Sequence, residues 1–142
     1  MDIKEIHKEI FKGKICPYCR NESHYVDSKI VYGKSYGMIY LCNRCNAYVG
    51  VHKGTNQALG RLANNELRKY KIKAHDAFDK LWKSKQMTRT EAYKQLSEHL
   101  GIPPEFTHIG MFGVKTCKEV IFKSNQVYQD LLQLDKDFGV GN

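Results

Sequence analysis

The sequence predicts an α+β protein in which a small β-rich segment is followed by a bundle of about three helices. Two observations support this expectation. Four of the five cysteines form two CxxC pairs, which enclose a stretch rich in Tyr, Val and Ile between residues 15 and 50. The second half of the 142-residue chain instead carries capping residues and apolar positions at helical spacing. Strands and helices are therefore expected in separate parts of the chain, as in other α+β proteins.

A short helix is expected ahead of the first cysteine pair, within residues 1–14. Its apolar positions recur at helical spacing, at Ile3, Ile6, Ile10 and Phe11. Gly13 follows them, and glycine commonly stands just beyond a helix C-terminus. The helix should therefore lead directly into the cysteine-rich segment.

Residues 15–51 are predicted to form three short antiparallel strands. HYVDSKIVYG and SYGMIYL are rich in residues that favour strands, and the glycine-flanked turn GKSYG joins them. AYVGV, directly after the second cysteine pair, is the third expected strand. Three short strands around two cysteine turns are typical of a zinc ribbon.

Residues 52–142 are predicted to be helical and to pack on the ribbon. Asn64 or Asn65 is expected to cap the first helix. Its apolar stripe comprises Leu67, Tyr70, Ala74, Ala77, Phe78, Leu81 and Trp82. A capping box formed by Thr88 and Glu91 should open the second helix, which Gly101 and the prolines after it should end.

A third helix is predicted to begin at another capping box, formed by Thr116 and Glu119. Its apolar positions are Val120, Ile121, Val127, Tyr128, Leu131, Leu134 and Phe138. The last four residues, GVGN, are expected to fray. Cys117 lies in the first turn of this helix and is expected to be a buried small hydrophobe rather than a reactive thiol.

The four paired cysteines predict a metal site. Each CxxC turn supplies two thiolates, and two turns complete the tetrahedral four-thiolate set of structural zinc. The pairs Cys16/Cys19 and Cys42/Cys45 are separated by 22 residues, a gap that a hairpin spans. Free thiols or a redox pair are the alternatives, and two pairs flanking one hairpin disfavour both. Four cysteines leave no open position, so we expect one structural zinc ion and no chemistry at the metal.

The composition favours a protein of a reducing, cytoplasmic compartment. The chain has no apolar run of about 18 residues, and its charged N-terminus lacks the apolar region of a signal peptide. In such a compartment, paired CxxC motifs are more often metal ligands than disulfides. Neither a membrane nor a small-molecule ligand is indicated as a partner.

The charge is unevenly distributed, with a net +8 concentrated in the middle of the chain. Residues 52–94 carry 11 Lys and Arg against 4 acidic residues, whereas residues 1–51 carry 8 against 5. Residues 95–142 carry 4 against 6. A concentrated positive segment suits a surface that meets an acidic partner such as nucleic acid. A solvated, lysine-rich surface without a partner is the alternative.

Basic and aromatic residues interleave on the hairpin, a pattern that suits phosphates and stacked bases. The loop after the third strand, VHKGTNQALG, clusters donors, a glycine and a cation, although it lacks the spacing of a nucleotide-hydrolysing P-loop. Local turn bonds by its Thr and Asn are the alternative for that loop. The candidate nucleic-acid residues are Lys34, Tyr36, Arg44, His52, Lys53, Arg61, Arg68, Lys69 and Lys73.

Evidence for catalysis in the sequence is weak. His75 and Asp79 stand four residues apart on the first long helix, so they could share a face for metal binding or acid–base work. An exposed pair at this spacing is more often a minor surface interaction. His108 is a turn histidine by the same reasoning. No zinc-protease, serine-hydrolase or paired-acid motif occurs in the sequence.

Beyond the cysteines, four longer stretches are distinctive: VDSKIVYGKSYGMIYLC, CNAYVGVHKGTNQALGRLANNELR, KAHDAFDKLW and HIGMF. Over about residues 15–112 they resemble a family of small zinc-finger-containing domains found in phages and prophages of bacteria. The resemblance implies a phage or prophage accessory protein that acts in the host bacterial cytoplasm. The resemblance implies no particular biochemical activity.

The function expected from these observations is a non-enzymatic, zinc-stabilised accessory protein that binds nucleic acid, DNA or RNA, through its basic surface. The first alternative is a protein–protein module that inhibits or redirects a host enzyme or defence factor. The second is a small metal-dependent nuclease that uses His75, Asp79 or His108. Binding to phosphates should weaken steeply with salt, whereas docking on an apolar surface should not.

Overall fold

The computed structural model describes residues 2–137, without the side chain of Asp135. Phe138 and the GVGN tail, the expected end of the last helix, lie outside the described residues. The chain divides into two compact units, Met1–Arg68 and Lys69–Asn142. They are called the ribbon unit and the helical unit below.

The ribbon unit opens with the expected helix, α1, at Ile3–Phe11. Asp2 caps it, since its carboxylate accepts a hydrogen bond of 2.8 Å from the Glu5 backbone N–H. Gly13 follows the helix with φ of +77°, and a Cβ built there would lie 2.8 Å from the Ala58 Cβ. Glycine is therefore required at this position for both the left-handed turn and the close approach.

Three antiparallel strands form the predicted sheet: β1 at His24–Asp27, β2 at Met38–Cys42 and β3 at Ala47–Gly50. β2 lies in the centre, in the order β1-β2-β3. The register pairs Tyr40 with Tyr25 on one side and with Val49 on the other. Backbone bridges from Ala58 and Ala63 hold the following loop against Val51 and Tyr48.

The expected long first strand, residues 24–33, is wrong beyond Asp27. The chain instead turns into a short helix, α2, at Lys29–Tyr32. The Asp27 carboxylate accepts from the Lys29 backbone N–H at 2.8 Å, and the buried Ser28 hydroxyl accepts from the Tyr36 backbone N–H at 2.7 Å. Side chains of Asp and Ser compete in this way with the hydrogen bonds of a strand.

One cluster of buried residues in the ribbon unit is rich in sulfur. Its buried members are Cys16, Tyr40, Cys42, Ala47 and Leu62. The two remaining ligand cysteines are half-buried and pack against this cluster. The sheet therefore shares its buried face with the four thiols.

Three long helices follow, as predicted: α3 at Asn65–Lys83, α4 at Arg89–Leu100 and α5 at Val114–Asp137. Asn64 caps α3 by accepting from the Leu67 backbone N–H at 3.0 Å. Thr88 caps α4 in the same way through the Glu91 backbone N–H, and Gly101 ends that helix in the left-handed conformation. No helix in residues 2–137 combines the length and apolarity that crossing a bilayer requires.

The helical unit has its own apolar core. Its fully buried members include Ala74, Phe78, Ala92, Ile109, Cys117 and Val120. Cys117 has no exposed surface, in agreement with its expected role as a small hydrophobe. Two short 3-10 turns, Pro104–Phe106 and Ile109–Met111, connect α4 to α5.

The expected start of the third helix at Thr116 is wrong. α5 begins at Val114, and the Cys117 backbone N–H already donates to the Gly113 carbonyl at 3.0 Å. Thr116 therefore lies inside the helix and does not cap it. Burial of Ile109 and Phe112 in the turn just before explains the earlier start, because it fixes where the chain enters α5.

Candidate metal centre and nucleic-acid interface

The fold brings the four paired cysteines together. The Sγ atoms of Cys16, Cys19, Cys42 and Cys45 all lie within 4.8 Å of one another. Cys19 and Cys42, which belong to different CxxC turns, have Sγ atoms 3.7 Å apart. Zinc bound at about 2.3 Å by four tetrahedral thiolates requires sulfurs about 3.8 Å apart. The observed spacing therefore fits a four-thiolate zinc site.

Backbone geometry shapes each CxxC turn around its sulfurs. The Cys16 sulfur accepts hydrogen bonds from the backbone N–H groups of Tyr18 and Cys19, and the Cys19 sulfur accepts one from that of Asn21. The residue after each pair, Arg20 or Asn46, has a positive φ, of 65° or 49°. These donors stabilise negative charge on sulfur, as they do around metal-bound thiolates.

The thiols differ in their affinity for protons. The Asn21 backbone N–H lowers the pKa of Cys19 to about 7, whereas burial raises the pKa of Cys16. Desolvation and the neighbouring sulfurs raise the pKa of Cys45 to about 12. Zinc must displace the protons held by Cys16 and Cys45, so binding releases protons and strengthens as the pH rises.

The donor set defines the role of the metal. Four sulfurs complete the tetrahedral coordination of zinc, which leaves no position for water or substrate. Cys16 and Cys42 are buried, and the sheet and both turns surround the cluster. The site holds one structural zinc ion, which joins the two CxxC turns to the base of the hairpin.

Comparison with protein-family models supports this assignment. Residues 12–127 match the family described as a zinc-finger-containing domain. The chain belongs to this family. Comparison of the chain with the curated proteins and with the solved structures found no match. The match to the family begins directly after α1, includes both cysteine pairs and ends near the middle of α5.

One face of the ribbon unit of this zinc-finger-containing domain carries three tyrosines in edge-to-face contact, here called the tyrosine row. The ring centroids of Tyr32 and Tyr36 lie 5.6 Å apart, and those of Tyr32 and Tyr48 lie 5.8 Å apart. Tyr36 is 73% exposed and Tyr32 is 52% exposed. The Lys34 ammonium stands 5.9 Å from the Tyr36 ring centroid. Lys34 and Tyr36, two candidates from the sequence, are therefore neighbours at an accessible surface.

Arg68 closes the other end of the tyrosine row. Its guanidinium carbon lies 4.0 Å from the Tyr48 ring centroid, and its nitrogens donate to the carbonyls of Asn46 and Ala63. Arg68, a candidate nucleic-acid residue from the sequence, is half-buried. Its fork of donors instead ties the second CxxC turn to the start of α3.

Other candidates of the ribbon unit are dispersed. Arg44 is exposed in the second CxxC turn, and His52 and Lys53 are exposed in the loop after β3. That loop is a closed turn, because the Thr55 hydroxyl donates to the His52 carbonyl and accepts from the Gln57 backbone N–H. Arg61 is half-buried, with its guanidinium 5.7 Å from the Tyr18 ring centroid.

Tyr40 and Tyr25 differ from the tyrosine row. Tyr40 is buried in the ribbon core, and its hydroxyl donates to the Asn56 carbonyl at 2.6 Å. It also accepts from the Lys14 ammonium at 3.1 Å. Tyr25 packs on the Tyr40 ring at 4.9 Å between centroids. The sequence did not distinguish these packing tyrosines from the accessible ones, because all of them are the same residue type.

On the helical unit, the candidate residues Lys69 and Lys73 are exposed. The Lys73 ammonium lies 5.3 Å from the Tyr70 ring centroid, and that of Lys118 lies 5.0 Å from the same centroid. Lys118 was not a candidate from the sequence, because it lies 48 positions from Tyr70 along the chain. The four-residue spacing between Lys118 and Phe122 could have placed the two residues on one face of α5.

The residues considered for catalysis belong to no cluster of three or more metal-ligating side chains in the part of the chain that the structure describes. Asp79 accepts from the Trp82 indole N–H at 3.3 Å and pairs with Lys83 at 3.9 Å. His75 and His108 are both exposed. Within residues 2–137, the only group of three or more possible metal-ligating residues is the four-cysteine cluster.

Proposed function

We propose that this protein binds nucleic acid without catalysing a reaction, and that zinc holds in place the ribbon that makes the contact. The observation that carries the proposal is the tyrosine row, with the exposed rings of Tyr36 and Tyr32 beside Lys34. Aromatic rings offer stacking faces to every base, and neighbouring cations meet the phosphates.

The arrangement favours single-stranded regions with little sequence preference. Bases must be unstacked to reach an aromatic side chain, and unpaired strands present them at the lowest energetic cost. The net charge of +8 attracts the polyanion over distances longer than any contact. The single-stranded nucleic acid can be DNA or RNA, since base stacking and phosphate contacts are common to both.

A non-enzymatic role agrees with the closed zinc site. Four sulfur ligands leave the ion no means of activating water. The Asp79 carboxylate, which a nuclease would need free, accepts a hydrogen bond from the Trp82 indole N–H and forms an ion pair with Lys83. The role of an accessory protein of a phage or prophage is also part of the proposal, and it rests on the resemblance of the sequence alone.

The test compares variants of the tyrosine row with a matched control. Replacing Tyr36 and Tyr32 by Ala should weaken binding to single-stranded oligonucleotides by about 1–3 kcal/mol per stacked base. Tyr25→Ala is the control, because Tyr25 is 43% exposed but packs on Tyr40 rather than in the row. Fluorescence anisotropy with DNA and RNA strands and with duplex DNA, at two salt concentrations, measures the affinities.

The result that overturns the proposal is equal binding by the row variants and the control. Undetectable binding of the unmodified protein to every strand at low salt would do the same. Zinc content measured on the same samples shows that the ribbon is intact in each variant.

A protein-docking module is the second candidate function, with a host enzyme or defence factor as partner. Ile3 and Ile30 of the ribbon unit are 71% and 62% exposed, which favours an apolar contact. Binding of that kind should survive high salt, whereas binding to phosphates should weaken steeply. Pull-down from cells with and without nuclease treatment separates the two candidates.

A further inference from the structure

A groove runs between α3 and α5 within the helical unit. Its volume is about 660 Å³, within the range of sites for small ligands. Tyr70 and Lys73 line it from α3, and Lys118, Phe122 and the amide side chain of Asn125 line it from α5. None of the side chains that line the groove is acidic among the residues that the structure describes.

Two lysines stand at one end of this groove. Their ammonium groups lie 5.3 Å and 5.0 Å from the ring centroid of Tyr70, for Lys73 and Lys118 respectively. Both residues are exposed, so each ammonium can still reach a ligand. Two cations around one ring form a positive end that suits a phosphate group.

The rest of the groove is apolar and amide-lined. Phe122 follows Lys118 by one helical turn and is 66% exposed, which is high for a phenylalanine. Asn125 and Gln126 come one turn further along α5, on the same side of the helix. Amide side chains carry both donors and acceptors, which is the chemistry that pairs with the edge of a nucleobase.

We infer that the α3–α5 groove binds one unstacked nucleotide of a single-stranded nucleic acid. The base stacks on Phe122, the amides of Asn125 and Gln126 meet its edge, and Lys73 and Lys118 hold the adjoining phosphate. This inference rests on the proposed nucleic-acid function and adds a second contact to it, on a different unit from the tyrosine row.

The order of groups along the groove selects this ligand. A phosphate, a flat ring and polar ring edges follow one another in a nucleotide, as lysines, an aromatic ring and amides do here. An acidic amphipathic peptide would match the lysines and Phe122 but would leave the amides facing an apolar helix. The acidic residues of α5 closest in sequence, Glu119 and Asp130, are not among the side chains that line the groove.

The first experiment compares Phe122→Ala with Phe106→Ala. Phe106 is 64% exposed, nearly as much as Phe122, but belongs to the 3-10 turn after α4 and not to the groove. Fluorescein-labelled oligothymidylate is the probe, and anisotropy measures its affinity. Phe122→Ala should weaken binding by at least about five-fold, and Phe106→Ala should leave it unchanged.

The second experiment tests the two lysines against a control of equal charge. Lys73→Gln with Lys118→Gln should flatten the dependence of log affinity on log salt by about 0.7 for each phosphate that the lysines no longer neutralise. Lys94→Gln with Lys115→Gln, two exposed lysines outside the groove, removes the same charge and should leave the slope nearly unchanged.

Crosslinking separates this inference from the proposed function. Oligothymidylate carrying 5-bromodeoxyuridine should crosslink to peptides that contain Phe122 or Tyr70, besides those of the tyrosine row. Binding with crosslinks in the ribbon unit alone, or equal affinities for Phe122→Ala and Phe106→Ala, overturns the groove and leaves the proposed function intact. Undetectable binding of the unmodified protein overturns both.

An acidic helical peptide is the probe for a protein partner. If this peptide binds the groove while Phe122→Ala keeps its full affinity for the oligonucleotide, the groove belongs to a protein partner and the inference is overturned.

Discussion

The ribbon unit and the helical unit bury their residues in different ways. In the ribbon unit, one buried cluster combines two metal ligands with a tyrosine, an alanine and a leucine, and aliphatic side chains such as Ile15, Ile39 and Leu41 are buried as well. The helical unit buries aliphatic and aromatic side chains from three helices, such as Phe78, Leu81, Leu96 and Val120, and contains none of the four ligand cysteines. A short segment cannot bury enough apolar surface to fold unaided, and a metal commonly supplies what is missing. The two units should therefore respond to different perturbations.

The largest expected effect is loss of the ribbon on replacement of one ligand. Cys42→Ser removes a buried thiolate at the junction of the sheet and the zinc site, so the ribbon unit should lose both its metal and its fold. Helical circular dichroism should remain substantial, because the helical unit has its own core. Zinc analysis and circular dichroism of the same sample measure both effects.

Cys117→Ala is the matched control, since Cys117 is fully buried but lies outside the four-sulfur cluster. One zinc per chain should remain in this variant. If Cys42→Ser keeps stoichiometric zinc, or loses its helical signal together with the metal, the contrast between the units is wrong.

A smaller effect is expected from a cavity in the helical unit. Leu96 is 3% exposed and borders, with Phe78 and Leu81, a small pocket of about 10 Å³ that is partly open to solvent. Leu96→Ala should lower the free energy of unfolding of the helices by about 2–5 kcal/mol, because the removed methyl groups leave a larger void. Urea denaturation followed by circular dichroism measures the loss, and the zinc content should stay at one per chain.

Leu134→Ala is the counterpart on α5, where the leucine is 50% exposed. Its effect should stay within about 0.5 kcal/mol, as for other surface substitutions. Release of zinc from Leu96→Ala in native buffer would mean that the two cores are not independent.

The smallest effect concerns backbone conformation, with one test position in each unit. Arg20 and Lys85 have positive φ values of 65° and 64°. The left-handed conformation costs an L-residue about 1–2 kcal/mol, and glycine avoids this at an entropic cost of about 0.5–1 kcal/mol. Arg20→Gly should therefore slow the loss of zinc to a chelator, and Lys85→Gly should stabilise the helices, each by less than about 1.5 kcal/mol.

Valine at the same two positions provides the opposite control, because a β-branched residue is strained at positive φ. Arg20→Val should release zinc faster, and Lys85→Val should unfold at lower urea. Equal behaviour of the Gly and Val variants at either position would show that backbone strain is unimportant there.

The elements that local rules specify were predictable from the sequence. The CxxC spacing identified the ligands, and the caps at Asn64 and Thr88 identified two helix starts. The rule failed at Thr116, where the same residue pattern lies inside α5 because tertiary burial of Phe112 sets the start of the helix. It failed again after Asp27, where the turn chemistry of Asp and Ser prevailed over the strand propensity of the residues that follow.

The candidate contact surfaces were predictable only in composition. Interleaved Lys and Tyr indicated the hairpin, yet contact between Tyr32 and Tyr48 depends on α2, which the sequence did not predict. Lys118 and Phe122 line the same groove as Tyr70 only because α5 lies beside α3 in the helical unit. Such long-range contacts leave no periodic signal in a single sequence.

The tip of the hairpin has a consequence for how this protein can change. Residues 28–37 leave and re-enter the sheet at the paired residues Asp27 and Met38, and the zinc ligands lie outside this segment. Gly33 and Gly37 have open space around them but adopt φ of +74° and +106°, which favours glycine, and Ser28 is buried. The other positions of this segment thus form a cassette that mutation, or an engineer grafting a foreign peptide, can rewrite while the metal-bound base stays the same. A scaffold of this kind lets what is recognised diversify faster than the fold that presents it.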